Sequence, residues 1–293
     1  MAPHEGTRSM AQSAKQGRSI PIAGRGVRLA FALPGLLVLA LFFVLPLGSI
    51  AREAFSEGGS AFARVLADPV FWGGVRGSLI LGTLAPGFSV VVGFLVALHL
   101  ATLSERARGL ALFAISLPLT FSGLVIAYGF ILVFGRSGFV TLLLARLGAD
   151  PAVVGGFIFT PVGLGLAYSY YLIPRVVLVM LPVLTNFDRS QIAAARSLGA
   201  TGFTAHLDIL VPQVMPALIT AFCLTSAVAI GAYGTALALV GTQVNILPLV
   251  LYSKVSDAGS DFPAAAAISL LLMGLCCAVI GLAELVRRAR PAA

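Results

Sequence analysis

Ala193-Ala194-Ala195-Arg196-Ser197-Leu198-Gly199, nine further residues, and then Ile209-Leu210-Val211-Pro212 separate two long apolar runs of the chain. The pattern reads as two short helical arms joined by a turn. Ahead of it, in Asn186-Phe187-Asp188-Arg189-Ser190-Gln191, Asp188 stands three residues before Gln191, the spacing of a capping box. The Asp188 carboxylate can accept from free N–H groups and suits the positive end of a helix. Ile192 to Leu198 are good helix formers, and Gly199 stands where a chain leaving a helix turns left-handed. Thr201 is placed to cap a second helix that carries Phe203, Ile209 and Leu210 towards the next apolar run. Pro212 and Pro216 fall near the start of that run, where proline is tolerated or makes a kink. Three consecutive alanines leave the first arm a face almost free of side chains, which can enter a partner's groove closely.

The apolar runs decide the medium. Of 293 residues 59% are apolar and only 10% charged, and the mean hydropathy is +1.02, whereas a soluble domain is nearer half apolar and a quarter charged. Runs of roughly 20 apolar residues recur, each long enough to cross a ~30 Å hydrocarbon core as a helix. Six spans are expected, at about Leu29–Ala51, Ser78–Leu103, Gly109–Phe134, Phe157–Val176, Gln213–Gly234 and Pro263–Leu285. Each is apolar around its circumference, as a helix buried in lipid or bundle must be. A membrane β-barrel would need short alternating segments. The fold class is therefore all-α integral membrane with six transmembrane helices.

Lysine and arginine set the expected orientation. Arg8, Lys15, Arg18, Arg25, Arg28, Arg106, Arg108, Arg189, Arg196, Arg287, Arg288 and Arg290 fall on one side; Arg52, Arg64, Arg76, Arg136, Arg146 and Lys254 fall on the other. Twelve against six places both termini and the Ala193 loop in the cytoplasm. The same bias accounts for the net charge of +8, which is then no sign of a nucleic-acid partner. Residues 1–27 read as a flexible polar cytoplasmic tail. The first apolar run, about 23 residues, exceeds the 7–15 of a signal-peptide core, so an uncleaved first helix is expected.

Several chemistries are disfavoured. Cys223, Cys276 and Cys277 all fall inside expected spans and read as packing residues. The carboxylates lie in loops, at span ends or in the tail, so an ionisable relay of the kind proton-coupled carriers use is missing. His4, His99 and His206 form no metal-ligating pattern, and no catalytic serine elbow occurs. A phosphate-binding loop needs a lysine after glycine; Lys15 and Lys254 both lack one. Any ATP that drives this chain must bind another polypeptide.

The loop resembles the cytoplasmic EAA loop of binding-protein-dependent ABC transporter permeases, with Ala193-Ala194-Ala195 to Gly199 followed by Ile209-Leu210-Val211-Pro212. Pro174-Arg175-Val176-Val177-Leu178 before it is similar to the permease pattern that leads into this loop. Gly231-Ala232-Tyr233-Gly234 and Leu247-Pro248-Leu249 resemble the exit of the fifth span and the next external loop. Two departures stand out: Ala193 occupies a position usually Glu, and Val211 one usually Leu. The resemblance implies a type I importer subunit of the MetI-like fold, with a permease domain over residues 28–287, a coupling loop over 186–212 and a short cytoplasmic tail over 288–293. It implies a separate ATPase carrying ATP and Mg, a second permease subunit, identical or not, and a periplasmic or extracellular binding protein in a bacterial inner membrane. Asp188, Gln191, Ala193, Ala194, Ala195, Arg196, Leu198, Gly199, Phe203, Ile209 and Pro212 would then make up the contact with the ATPase. This chain itself would hold no cofactor.

The path through the membrane is less legible. Tyr168-Ser169-Tyr170-Tyr171 is a dense polar group about two-thirds of the way down the fourth span; Tyr168, Tyr170, Tyr171 and, in the fifth, Tyr233 are the candidates for lining the path. Arg175, ~27 Å along the span from Phe157 at 1.5 Å per residue, is expected at the inner interface as an anchor. The whole-chain pattern looks closest to permeases for polyamines, although the spans offer no carboxylate to hold one. Permeases for ferric iron, phosphonates or another small ion stay open, as does a six-span membrane enzyme or assembly factor.

Overall fold

The computed structural model describes residues 33–256 and 260–289. The expected tail over 1–27, the start of the first span and residues 290–293 lie outside them. Among the described residues six helices are long and apolar enough to cross a membrane: Leu33–Ala54, Pro69–Leu100, Gly123–Ala145, Pro161–Thr185, Gly202–Ile230 and Phe262–Leu282. The protein is an all-α, six-span membrane protein. It divides into two units, Met1–Ser49 and Ile50–Ala293. The described part of the first is helical, with Leu37, Phe42 and Phe43 exposed, as side chains meant for lipid are.

In the second unit we number the helices α1 (Ser60–Ala67), α2 (Pro69–Leu100), α3 (Glu105–Ser116), α4 (Gly123–Phe134), α5 (Phe139–Ala145), α6 (Pro151–Gly156), α7 (Pro161–Thr185), α8 (Ser190–Ser197), α9 (Gly202–Ala205), α10 (Val211–Ile230), α11 (Gly234–Val240), α12 (Leu247–Ser256) and α13 (Phe262–Ala289). The bundle is built on α2 and α7. Asp68 starts α2, its Oδ1 accepting from Val70 N at 2.9 Å, and Pro69 supplies a preset first turn. The helix therefore begins at Pro69 rather than at Ser78, and its 32 residues span ~48 Å. Gly74, Ser78, Gly82, Ala85, Ser89, Gly93 and Ala97 recur every three or four positions along it, and all are buried. Such a small-residue stripe lets membrane helices approach closely, where packing and hydrogen bonds drive association. At Gly93 a Cβ would lie 2.7 Å from Cβ of Val176 on α7, so only glycine fits. Ser78 Oγ accepts from Leu247 N at 2.8 Å and so caps α12 from the neighbouring helix.

α7 is the inner helix: Leu164, Ala167, Tyr168, Leu172, Val176, Val177 and Met180 are fully buried. Three span expectations are corrected here. The third span is not one helix over Gly109–Phe134. α3 ends at Ser116, Leu117–Thr120 form a 3-10 turn around Pro118, Phe121 and Ser122 are extended, and Ser122 Oγ accepts from Val125 N to start α4. Pro118 and the Ser122 cap break the helix despite its apolar sequence. The fourth span starts at Pro161, Phe157–Phe159 being a separate 3-10 turn, and runs on to Thr185. Arg175 then lies ten residues, ~15 Å, before the helix end and not at an interface. The fifth span starts at Gly202, and its first turns include a π-helical turn over His206–Leu210. There Val211 N reaches back to His206 O, and Pro212, lacking an N–H, cannot restore the α register.

Candidate functional site

Two places draw together the residues singled out by sequence. The first is the loop from Asn186 to Pro212. Asp188 Oδ1 accepts from Ser190 N at 2.9 Å, and bonding to the Ser190 backbone and then its side chain holds this carboxyl below the usual range. The capping box does not form: Gln191 Oε1 accepts from Gln213 Nε2 at the start of α10 instead of folding back onto Asp188. α8 ends in a Schellman motif, with Gly199 N donating to Arg196 O at 3.0 Å and Ala200 N to Ala195 O at 3.1 Å. Gly199 has φ 94°, a conformation glycine adopts without steric cost. Thr201 Oγ1 accepts from Thr204 N at 3.2 Å and caps α9.

The loop has an anchored side and a free side. Phe187 and Ile192 pack against a core formed by Leu184, Met180, Leu210 and Val214. Arg189 Nη2 donates to Ala101 O at 2.7 Å, tying the loop to the end of α2. Leu198 and Phe203 point away, 90% and 76% exposed. Consecutive residues on a helix lie about 100° apart, so the three alanines do not share one face. Ala195 is half-buried, Ala194 is exposed, and Ala193 edges a groove of about 570 Å³ rimmed by His99, Arg189, Arg196 and His206. Ile209 is half-buried in the π turn, and Pro212 is exposed at the start of α10. Arg189 and Gln213 were not among the expected loop residues. The usable signal was their type: long polar side chains next to a helix end carry the tethers.

The second place is a half-open cavity of about 290 Å³ in the bundle, with Phe121 and Gly231 exposed at its edge. Two helix breaks meet there, the Leu117–Ser122 break and the Gly231–Tyr233 break between α10 and α11, facing Tyr171 and Arg175 of α7. Non-helical backbone at membrane depth is tolerated where it is buried in protein or lines a cavity. The four candidate tyrosines are dispersed. Tyr168 is fully buried and donates to Ala232 O at 2.9 Å, a structural bond that holds the second break. Tyr170 is on another side of α7, 5.6 Å edge-to-face from Phe130, along a separate apolar groove. Tyr171 and Tyr233 line the small cavity with Arg175. Arg175 Nη1 donates to Tyr171 O at 2.8 Å, and its guanidinium sits 5.4 Å from the Tyr171 ring centre. Sequence reasoning placed this arginine at the membrane edge because the fourth span was ended too early.

Residues 89–290 match the family described as binding-protein-dependent transport system inner membrane component. The chain belongs to this family. Among curated relatives it is 27% identical, over 87% of each chain, to the "Probable sulfate transport system permease protein cysT" of Nephroselmis olivacea. It is 26% identical to the spermidine/putrescine transport system permease protein PotB of Escherichia coli (strain K12), over 81% of this chain and 90% of that one. A bacterial ABC transporter chain from an importer of the acidic polysaccharide alginate shares the fold, with TM-score 0.70, 19% identity and 90% and 95% of the two chains covered. This binding-protein-dependent permease is a MetI-type ABC importer subunit, a transport component and not an enzyme.

Proposed function

We propose that the chain forms one half of an import pathway and is moved by a separate ATPase that grips residues 186–212 from the cytoplasm. The observation that carries this reading is the division of the loop: Phe187, Ile192 and Arg189 fix one side to the bundle, while Leu198, Phe203 and Ala194 stay free for a partner. The Schellman turn at Gly199 joins α8 to α9, which continues through the π turn into α10. A displacement of α8 therefore reaches the fifth span through short, hydrogen-bonded segments. ATP and Mg sit on the ATPase, since this sequence has no phosphate-binding loop. A second permease subunit, identical or related, completes the path, and a binding protein delivers the solute from the other face. Both termini are cytoplasmic by the positive-inside rule, in a bacterial inner membrane.

The solute is small and polar or charged. A polyamine is one candidate, matching the name of the PotB relative; sulfate, ferric iron, a phosphonate or another small ion is the other class. Co-purification of the ATPase with this chain tests the coupling role. Ala194→Trp fills the exposed side of α8, and at least a tenfold loss of bound ATPase is expected against wild type. Undiminished ATPase on the variant would move the docking site elsewhere.

A further inference from the structure

Arg175 is a cation without a matching anion. It lies in the interior of α7, within a span, and among the described residues it forms no ion pair with a carboxylate. Ionisable groups inside membrane spans are costly and mark sites of function. Its hydrogen bond to Tyr171 O uses one of five guanidinium N–H donors. It lines the 290 Å³ cavity, as does Tyr171, which is 93% buried and whose hydroxyl forms no hydrogen bond. The Thr235 hydroxyl nearby donates to Gly123 O at 3.0 Å and keeps its lone pairs, so an anion would compete with this oxygen for the Tyr171 O–H. A buried hydroxyl without a partner costs stability, so a polar ligand that accepts from it would be held there.

The cavity is large for a single water, about 30 Å³ of liquid, and slightly below the 300–1,000 Å³ of drug-sized pockets. It therefore suits a small ion or a few waters. Its side-chain chemistry sorts that ion by sign. Arg175 supplies positive charge, Tyr171 supplies an O–H donor, and no Asp or Glu lines it. A desolvated diamine would meet an uncompensated guanidinium and no carboxylate. An oxyanion would meet charge-assisted donors of the kind that bind carboxylate, phosphate and sulfate groups.

We propose that this cavity is an anion station on the transport path, holding a small oxyanion between the Arg175 guanidinium and the Tyr171 hydroxyl. The proposal rests on the permease reading and assigns its solute a negative sign, replacing the polyamine expectation. The test uses the full-length chain in nanodiscs together with whatever permease and ATPase subunits co-purify. Sodium sulfate, phosphate and thiosulfate, and separately putrescine, are titrated at constant ionic strength, with binding read by calorimetry. Saturable binding of at least one oxyanion is expected, weakened roughly tenfold or more by Arg175→Gln, in keeping with loss of a charged hydrogen-bonding partner. Tyr171→Phe should weaken it several-fold, and Arg175→Lys should retain part of it. Absence of saturable oxyanion binding, binding unchanged in both Arg175→Gln and Tyr171→Phe, or saturation by putrescine alone overturns the proposal. If Arg175→Gln does not fold, Arg175→Lys and Tyr171→Phe decide. Failure of the permease reading shows separately, as wild type that retains no ATPase while still binding the anion.

Discussion

Gly199 shows how much one backbone angle can carry. At φ 94° an L side chain is strained, and left-handed geometry costs a non-glycine residue about 1–2 kcal/mol. Open space surrounds it, so the penalty is conformational and not a clash. Gly199→Val should leave membrane insertion intact and lower solute uptake per ATP hydrolysed by roughly five- to thirtyfold, the factor that such an energy commands. Gly199→Asn, which tolerates the left-handed region, should recover much of the coupling. Reconstituted vesicles assayed for both uptake and hydrolysis decide this, and normal coupling in the valine variant would remove the turn from the mechanism. Ala193 is the contrasting residue. With no carboxylate there, the groove beside α8 is edged by Arg189 and Arg196, while the loop as a whole balances them with Asp188 and Asp208.

At the scale of elements, α8 is held by a few contacts at one end and free at the other. Its polar tethers are Gln191 to Gln213 and Arg189 to Ala101 O, the latter a cation on the carbonyl end of α2, where the helix dipole favours it. Removing it in Arg189→Ala should loosen the loop by about 1 kcal/mol, a roughly fivefold faster amide exchange over residues 190–205. Hydrogen exchange followed by mass spectrometry reads this directly, and unaltered exchange would mean that Phe187, Ile192 and the Gln191–Gln213 bond hold α8 without it. The α2–α7 pair is the opposite kind of element, rigid because small residues bring the backbones together. The proposed coupling role needs such a stiff reference, against which a displacement of α8 could be transmitted.

Across the whole molecule, Arg175 stands alone inside its span, and the ion pairs among the described residues lie at the ends of spans. Arg64 bonds Glu57 and lies 3.3 Å from Asp261, and Lys254 lies 3.3 Å from Asp68, joining α1 and the start of α2 to α12 and the approach to α13. Hydrogen bonds from Arg64 and then Ser60 hold the Glu57 carboxyl below its ordinary range. A lowered acid contributes stability that is present above the ordinary glutamate range and is lost as the pH falls below that range through the lowered folded-state value. The thermal midpoint of wild type should therefore exceed that of Glu57→Gln slightly near neutral pH. The gap should close on acidification and shrink with added salt, since the pair is solvent-exposed. A gap that widens in acid would contradict the assignment.

The sequence by itself determined the medium, the number of spans and the two-armed loop between the fourth and fifth spans. These depend on features local to the chain: runs of apolar residues long enough for a bilayer, a helix stop at Gly199 and a cap at Thr201. It could not separate Tyr168, Tyr170 and Tyr171, because their roles depend on which neighbour each direction around α7 meets. Nor could it locate Arg175, since the end of α7 and the broken third span are settled by packing and proline geometry rather than by hydropathy. Only the tertiary structure brought the Leu117–Ser122 and Gly231–Tyr233 breaks, more than a hundred residues apart in the chain, to the same arginine. A cavity is a relation between distant segments, and no local periodicity records it.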